Sequence, residues 1–203
     1  MRDITNMWRN FALNDESATV MCTYPEGAVK PTIPVPYCEE AMTGFEYALG
    51  ALMIKEGLRD LGEDVVRSVR NRYDGEHRNP WNEIECGSNY ARSMASFALL
   101  SIYSGFVCDM TRGHIGFSPI DGIGRFPFFV GNTWGFVDIA ENTATLEVYG
   151  EPLTLSSITL GGTGFYVSVS ADDKELEIKN EGERVSFPAT AVKDKMVIRT
   201  AHS

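Results

Sequence analysis

The hydrophobic pattern of this chain changes its period near residue 113, and this change limits the fold more than any other feature. Between residues 40 and 103, apolar residues recur at helical spacing. After residue 113, short segments rich in Val, Thr, Tyr and Phe alternate with Gly, Asn and Asp. Segregated helices and strands predict an α+β fold, with an antiparallel β-sandwich-like domain after the helices. We place the boundary so that the two regions are 1–120 and 121–203.

Three helices are predicted in the first region. The first follows a change of pattern at Glu40, with Thr43 and Glu46 fitting a capping box at its start, and it stops at Gly57. The second runs over 62–72 and the third over 89–103, where apolar residues on several faces indicate a helix covered on more than one side. The short link between the first two predicts an antiparallel helical hairpin. Three arginines are expected outside the apolar face of the second helix: Arg67, Arg70 and Arg72.

The remainder of the chain predicts extended structure. Residues 1–37 contain four prolines and favour a loop-like lead-in with one short strand at 19–24. Turn signals are expected at 161–164 and 171–173. The strands predicted in the second region are 126–130, 133–139, 143–149, 153–160, 165–170, 175–179, 184–187 and 196–200.

Charge and cysteine usage narrow the class of partner. The 28 acidic and 18 basic residues give a net charge of -10, which repels phosphate backbones, so nucleic acid is not an expected partner. No apolar run approaches the ~20 residues that span a bilayer, so no membrane span is expected.

Four scattered cysteines without C-x-x-C spacing predict free thiols, with disulfides as the alternative. The cellular compartment stays open, and the cytoplasm is favoured. No metal or cofactor is predicted.

Residues 78–94 form a polar, aromatic and acidic bend that leads into an apolar helix. Its Pro, Asn and Gly residues interrupt any regular period, so the bend has little core to build. We interpret it as part of a ligand-binding wall that uses Trp81, Glu83, Glu85 and Arg92. Trp81 is suited to stacking on a sugar face, and filling the core beneath the loop is the alternative role.

The two glutamates and the arginine also have more than one interpretation. Glu83 and Glu85 are two residues apart and point the same way if the bend is extended, which favours binding or structure over a glycosidase acid–nucleophile pair. Arg92 lies in the first turn of a helix, where the helix dipole opposes a cation. We therefore expect an anion beside it, Glu83 or Glu85, and a solvated Arg92 is the alternative.

Other candidate motifs carry weaker signals. Asp74, Glu76, His77 and Cys86 suggest a metal site on residue type alone, but a solvated charge cluster explains them better. Ser88 lacks the flanking glycines of a nucleophile elbow. The glycine-rich stretch at 161–164 lies between predicted strands, which favours a turn over a phosphate-binding loop.

Several segments together resemble glycoside hydrolase family 116, which includes bacterial β-glucosidases and the non-lysosomal glucosylceramidase. The central segment is Arg-Asn-Pro-Trp-Asn-Glu-Ile-Glu-Cys-Gly at residues 78–87. It is accompanied by Met-Thr-Gly-Phe-Glu-Tyr-Ala at 42–48, Arg-Tyr-Asp-Gly at 72–75 and Tyr-Ala-Arg-Ser-Met-Ala-Ser at 90–96. The resemblance covers roughly residues 39–137.

The resemblance implies the last helices of an (α/α)6 toroid from a retaining β-glycosidase. It implies that the glutamate nucleophile and the aspartate acid/base belong to a part of the family sequence upstream of the matched region, so no catalytic residue is assigned in this chain. Glu83 matches a glutamate expected to accept hydrogen bonds from glucose hydroxyls, and Arg92 matches an arginine expected to reinforce it. The expected partners are a β-glucoside and the missing N-terminal part of the same protein.

Two functions from other classes remain open. The chain is alternatively a non-catalytic carbohydrate-binding module, in which the bend and the sheet bind a glycan without hydrolysis. A purely structural fragment whose sheet mediates association is the third possibility.

Overall fold

The computed structural model describes residues 12, 15–29, 31, 40–83 and 92–201. The chain divides into two compact units, Met1–Leu99 and Leu100–Ser203. The described residues contain three α-helices, one 3-10 helix and eleven strands, so the α+β class is confirmed, whereas the toroid and the boundary at residue 120 stay predictions. Along those residues, no helix is both long and apolar enough to cross a membrane.

The helices lie close to their predicted positions. Helix α1 spans Thr43–Lys55 and ends before Gly57, whose φ of 83° suits the left-handed turn after a helix. Helix α2 spans Arg59–Arg72 and begins three residues before its predicted start. A 3-10 helix at Arg92–Ser96 leads into helix α3 at Phe97–Ser104, where one longer helix was predicted.

The predicted capping box at Thr43 and Glu46 is wrong. The residue preceding α1 is Met42, which provides no side-chain cap. Thr43 instead donates its hydroxyl proton to Glu83, 40 residues downstream. Glu46 accepts hydrogen bonds from Thr19 and Arg72. Thr43 and Glu46 therefore each bond to residues distant in sequence, and not to each other as the local pattern predicted.

Helices α1 and α2 form the predicted antiparallel hairpin. They approach closely at Gly50 and Gly62, where a Cβ on Gly62 would lie 2.6 Å from the carbonyl oxygen of Gly50. Tyr47, Val69 and Tyr73 are buried beside this crossing. The missing Cβ atoms therefore allow the two backbones to meet.

The predicted strand at 19–24 is also wrong, because the described residues 15–29 contain no strand. The backbone N–H of Thr19 donates to the carboxylate of Glu46 at 2.8 Å instead of to a neighbouring strand. A side chain on α1 thus satisfies the backbone of the lead-in.

Two sheets make up the second unit as a sandwich. The first has the strand order β1-β2-β6-β10-β9 and the second the order β3-β4-β5-β11-β7-β8. Every pairing is antiparallel except that of β2 with β6. The strands are β1 Val107–Asp109, β2 His114–Phe117, β3 Gly124–Val130, β4 Thr133–Ala140, β5 Thr143–Gly150, β6 Leu153–Leu160, β7 Phe165–Ala171, β8 Lys174–Glu175, β9 Lys179–Glu181, β10 Arg184–Val192 and β11 Lys195–Ala201.

The core of the sandwich comes from alternate residues of these strands. Along β5, the inward positions Ala144, Leu146 and Val148 are buried, while the residues between them are partly exposed. Phe106 closes one part of the core against Phe117 and Phe128, with ring centroids 5.2 and 6.4 Å away. The alternation expected from the sequence is therefore real.

Two details of the sheets differ from expectation. Strands β1 and β2 were not predicted, because each has at most four residues and Gly113 and Gly116 interrupt the apolar pattern. The strand predicted at 175–179 is divided between β8 and β9, and Leu176 between them donates its backbone N–H to Val169. The turns predicted at 161–164 and 171–173 are confirmed by the hydrogen bond from Thr163 to Leu160 and by the positive φ of Asp172.

Candidate functional site

The bend that follows α2 is held by its own side chains. The carboxylate of Asp74 accepts hydrogen bonds from the backbone N–H groups of Glu76 and His77, at 2.9 and 2.8 Å. Further along, the side-chain oxygen of Asn79 accepts a hydrogen bond from the backbone N–H of Trp81 at 2.9 Å. Two side-chain-to-backbone turns therefore fix the path of the chain toward Glu83.

Glu83 lies where three separate segments meet. It is 2% exposed, and its Oε2 atom accepts a hydrogen bond from the hydroxyl of Thr43 at 2.5 Å. The same oxygen accepts a second hydrogen bond from the backbone N–H of Arg92 at 2.8 Å. One carboxylate thus joins the first residue of α1 to the first residue of the 3-10 helix.

Arg92 contacts Glu83 through its backbone N–H, whereas the predicted ion pair of its guanidinium with Glu83 or Glu85 stays a prediction. A negative carboxylate at the start of a helix compensates the unfavourable position of a cation in the first helical turn. The stem of Arg92 lies over Gly44, where an added Cβ would be 3.0 Å from the Cδ of Arg92. Gly44 therefore provides the space in which the arginine side chain rests, and Arg92 as a whole is exposed.

Trp81 is 80% exposed, so its alternative role as a filler of the core is wrong. It precedes the buried Glu83 by two residues and presents its ring to solvent. Glu85 lies outside the described residues, as do Cys86 and Ser88. Of the four predicted site residues, the structure brings Glu83 and Arg92 together and leaves Trp81 exposed beside them.

A buried pair of a carboxylate and a guanidinium was missed by sequence reasoning. Arg72 was expected outside the apolar face of its helix, but it is 1% exposed, and it pairs with Glu46, which is 2% exposed. Arg72 also donates to the backbone carbonyl of Ser17. A buried charge requires such partners, and no local signal points to them because Glu46 and Arg72 are 26 residues apart.

Asp74 and His77 form an exposed ion pair with a separation of 2.7 Å. Hydrogen bonds from the backbone and then the ring of His77 lower the pKa of Asp74 to about 2. The hydrogen bond to Asp74 raises the pKa of His77 in turn. Over the described residues, no three His, Cys, Asp or Glu side chains are placed to hold a metal ion. The geometry is that of a solvated charge cluster.

The thiols of Cys22 and Cys108 are free and exposed. Cys38 lies, like Cys86, outside the described residues, so the predicted free thiols are seen at these two positions. Partial desolvation raises the pKa of the Cys108 thiol, which favours its neutral form. The chain matches no protein-family model and no curated protein.

Proposed function

We propose that this chain is the C-terminal part of a retaining β-glycosidase similar to the β-glucosidases and glucosylceramidases of glycoside hydrolase family 116. The intact enzyme would hydrolyse the O-glycosidic bond of a β-glucoside. This chain would supply part of the sugar-binding wall and the last helices of an (α/α)6 toroid, and the catalytic carboxylates would come from the missing N-terminal part.

The observation that carries the proposal is the meeting of three segments at one carboxylate. Thr43 belongs to the segment 42–48, Glu83 to the segment 78–87 and Arg92 to the segment 90–96, which are the segments that carry the family resemblance. Their hydrogen bonds of 2.5 and 2.8 Å end on the same oxygen of Glu83. Residues from three segments, one of them about 40 residues upstream of Glu83, therefore meet at one corner, which supports a common site.

The chemistry of the corner suits recognition of a hydroxylated ligand. A carboxylate accepts up to about four hydrogen bonds, and a guanidinium donates up to about five, so both groups can serve hydroxyls. Fixed polar groups reject ligands that leave them unpaired. Because Glu83 is 2% exposed, its first effect is to hold Arg92 and Thr43 in position, and direct contact with a sugar needs a small opening of the corner.

Trp81 supplies the apolar part of such a wall. An aromatic ring offers a flat face with negative potential, which attracts the C–H groups of a sugar ring. Its 80% exposure leaves the ring available to a ligand. Trp81 is therefore the residue through which sugar binding by the isolated chain is best tested.

The helices support the assignment to part of a larger protein. Helix α1 buries Tyr47, Ala51 and Ile54 on one side, yet Phe45 and Leu52 on other sides are 51% and 55% exposed. A helix that is apolar all round is normally covered all round. Further exposed apolar side chains on or beside the helices are Leu58, Leu61, Met94 and Phe97. Packing against preceding helices of the same polypeptide would cover them.

Two measurements test the proposal. An aryl β-D-glucoside should not be hydrolysed by the chain alone, and robust turnover would overturn the fragment assignment. Saturation-transfer NMR with methyl β-D-glucoside should detect weak binding that Trp81→Ala removes. Phe165→Ala is the matched control, because Phe165 is 54% exposed and lies on β7, away from the bend in sequence. Binding of methyl β-D-glucoside that persists in both Trp81→Ala and Arg92→Ala would refute the proposed sugar-binding wall.

A further inference from the structure

Three aromatic side chains form a row across the outer face of the second sheet. Phe129 on β3 is paired in register with Trp134 on β4, which is paired in turn with Tyr149 on β5. They are 65%, 47% and 40% exposed. Adjacent strands are about 4.8 Å apart, so the row extends roughly 10 Å across the sheet.

The rings in this row, which we call the aromatic row, are held by their neighbours. The centroids of Trp134 and Tyr149 are 4.8 Å apart with an interplanar angle of 36°. The hydroxyl of Tyr149 donates to the carboxylate of Glu147 at 3.0 Å. Because strands and a hydrogen bond restrict these side chains, little conformational entropy is lost when a ligand covers them.

Charged groups adjoin the aromatic row on the same face. Arg125 donates to Glu147 at 2.7 Å and also to Asp138, and its guanidinium lies 4.5 Å from the centre of the Phe136 ring. The hydrogen bond from Arg125, and then that from Tyr149, lowers the pKa of Glu147. Glu147 is therefore ionised at neutral pH. Together, Arg125, Asp138 and Glu147 provide strong hydrogen-bond donors and acceptors beside the aromatic rings.

The first sheet provides a comparison within the same sandwich. Its outward positions on β6 and β10 include Thr154, Ser156 and Ser186. In the described strands of this sheet, every aromatic side chain is less than one third exposed. The aromatic row is thus not a general property of this sandwich. It also contributes little to the core, which the opposite faces of the strands already fill.

The mixture of groups favours one kind of ligand. Protein–protein interfaces are enriched in aromatic residues and Arg but depleted of Asp and Glu, whereas here two carboxylates, Asp138 and Glu147, border the rings. The network pairs its own charges, so it is poorly suited to a strongly charged ligand. A neutral glycan needs both features, since the C–H face of a pyranose ring packs on an aromatic plane and its hydroxyls both donate and accept hydrogen bonds.

We propose that the aromatic row and the adjoining Arg125, Asp138 and Glu147 form a binding site for a neutral glycan. A pyranose ring lies on Trp134 and Tyr149, with Phe129 supporting a neighbouring sugar. Hydroxyls of the glycan donate to the carboxylates of Asp138 and Glu147 and accept from Arg125. This site is separate in sequence from the wall at Glu83 and does not depend on the proposed glycosidase function.

Calorimetric titration of the full chain with cellohexaose, laminarihexaose and xylohexaose tests the site. At least one of the three should bind, and Trp134→Ala and Tyr149→Ala should each weaken binding about tenfold or more through loss of a stacking surface. Tyr149→Phe keeps the ring and removes only the bond to Glu147, so it should have a smaller effect. Phe165→Ala, on another strand of the same sheet, should leave the affinity unchanged. Far-ultraviolet circular dichroism confirms that each variant is folded.

Each other outcome overturns the proposal in a distinct way. Failure of all three oligosaccharides to bind would show that the aromatic row is not a glycan site of this class. Loss of binding in Trp81→Ala alone would place the sugar at the wall, which would favour the glycosidase proposal and exclude this one. A change from dimer to monomer in Trp134→Ala without sugar binding would identify a self-association surface instead.

Discussion

Gly62 of α2 lies directly against the backbone of Gly50 in α1, at the point where the two helices cross. An added Cβ on Gly62 would be 2.6 Å from the carbonyl oxygen of Gly50 and 2.7 Å from the Cγ1 of Ile54. Real atoms do not approach so closely, so any larger residue must separate the helices.

Gly62→Ala is therefore expected to destabilise the helical hairpin by about 1–3 kcal/mol through overpacking, although alanine is the better helix former by about 1 kcal/mol. Urea unfolding measures the difference. Arg67→Ala is the control on the same helix, since its surface ion pair with Asp64 should contribute less than about 1 kcal/mol. Equal stability of Gly62→Ala and the wild-type chain would contradict the close crossing.

Removal of the Glu83 carboxylate should destabilise the corner. Glu83→Ala leaves the hydroxyl of Thr43 and the N–H of Arg92 without their acceptor, which costs about 1–3 kcal/mol for each group that remains buried. Glu83→Gln retains the shape and one acceptor, so it should be less harmful. The backbone N–H of Arg92 should also exchange with solvent faster in Glu83→Ala, and unchanged hydrogen exchange there would refute the capping role of Glu83.

The buried pair of Glu46 and Arg72 should behave as a coupled unit. Arg72→Met leaves the Glu46 carboxylate buried without its charge partner, and the expected loss is about 3–5 kcal/mol. The double variant Glu46→Gln with Arg72→Met removes both charges and should recover part of that loss. A double-mutant cycle by chemical denaturation measures the coupling, and additive losses would show that the pair is not coupled.

Asp172 should make the stability of the sandwich depend on pH. Burial raises the pKa of Asp172, but hydrogen bonds from the backbone N–H groups of Lys193, Asp194 and Lys195 outweigh burial and leave the pKa below its usual value. A carboxylate with a lowered pKa in the folded state stabilises the fold above the unfolded pKa, near 3.8. That contribution is lost as the pH falls through the folded pKa.

Asp172→Asn should therefore lower the free energy of unfolding at pH 7, and its difference from the wild-type chain should shrink as the solution becomes strongly acidic. Asp173→Asn is the matched control, because Asp173 has the same left-handed backbone and an 84% exposed side chain. Thermal unfolding at a series of pH values measures both variants. A difference that stays constant with pH would contradict this role of Asp172.

Strands with clear alternation could be predicted to within a few residues from the sequence. Strand β6 has its predicted bounds, and β5 extends one residue further than predicted. The predicted capping box put the start of α1 one residue too late, because Met42 precedes the helix and Thr43 bonds to Glu83 and not to Glu46. Periodicity reports which face of an element is apolar, but it does not identify a polar partner that is distant in sequence.

The same limit applies to the candidate site. The proximity of Glu83 and Arg92 followed from the short bend between them and from the need for an anion at a helix start. The burial of Arg72 did not follow, because a charged residue in the last turn of an amphipathic helix is normally solvated. The aromatic row was not predicted either, since it arises only when Phe129, Trp134 and Tyr149 are aligned by strand register.

The parallel pairing of β2 with β6 has a consequence for any shortened form of the sandwich. His114 is in register with Ser157, and the residues between them build three strands of the opposite sheet. A polypeptide begun at residue 121 would contain most of the strand-rich sequence, yet it would leave β6 with unpaired amide and carbonyl groups along one side. Other chains can pair with these exposed backbone groups of β6. The polypeptide that begins at residue 121 should therefore aggregate, whereas a polypeptide that begins at Leu100 should remain dispersed.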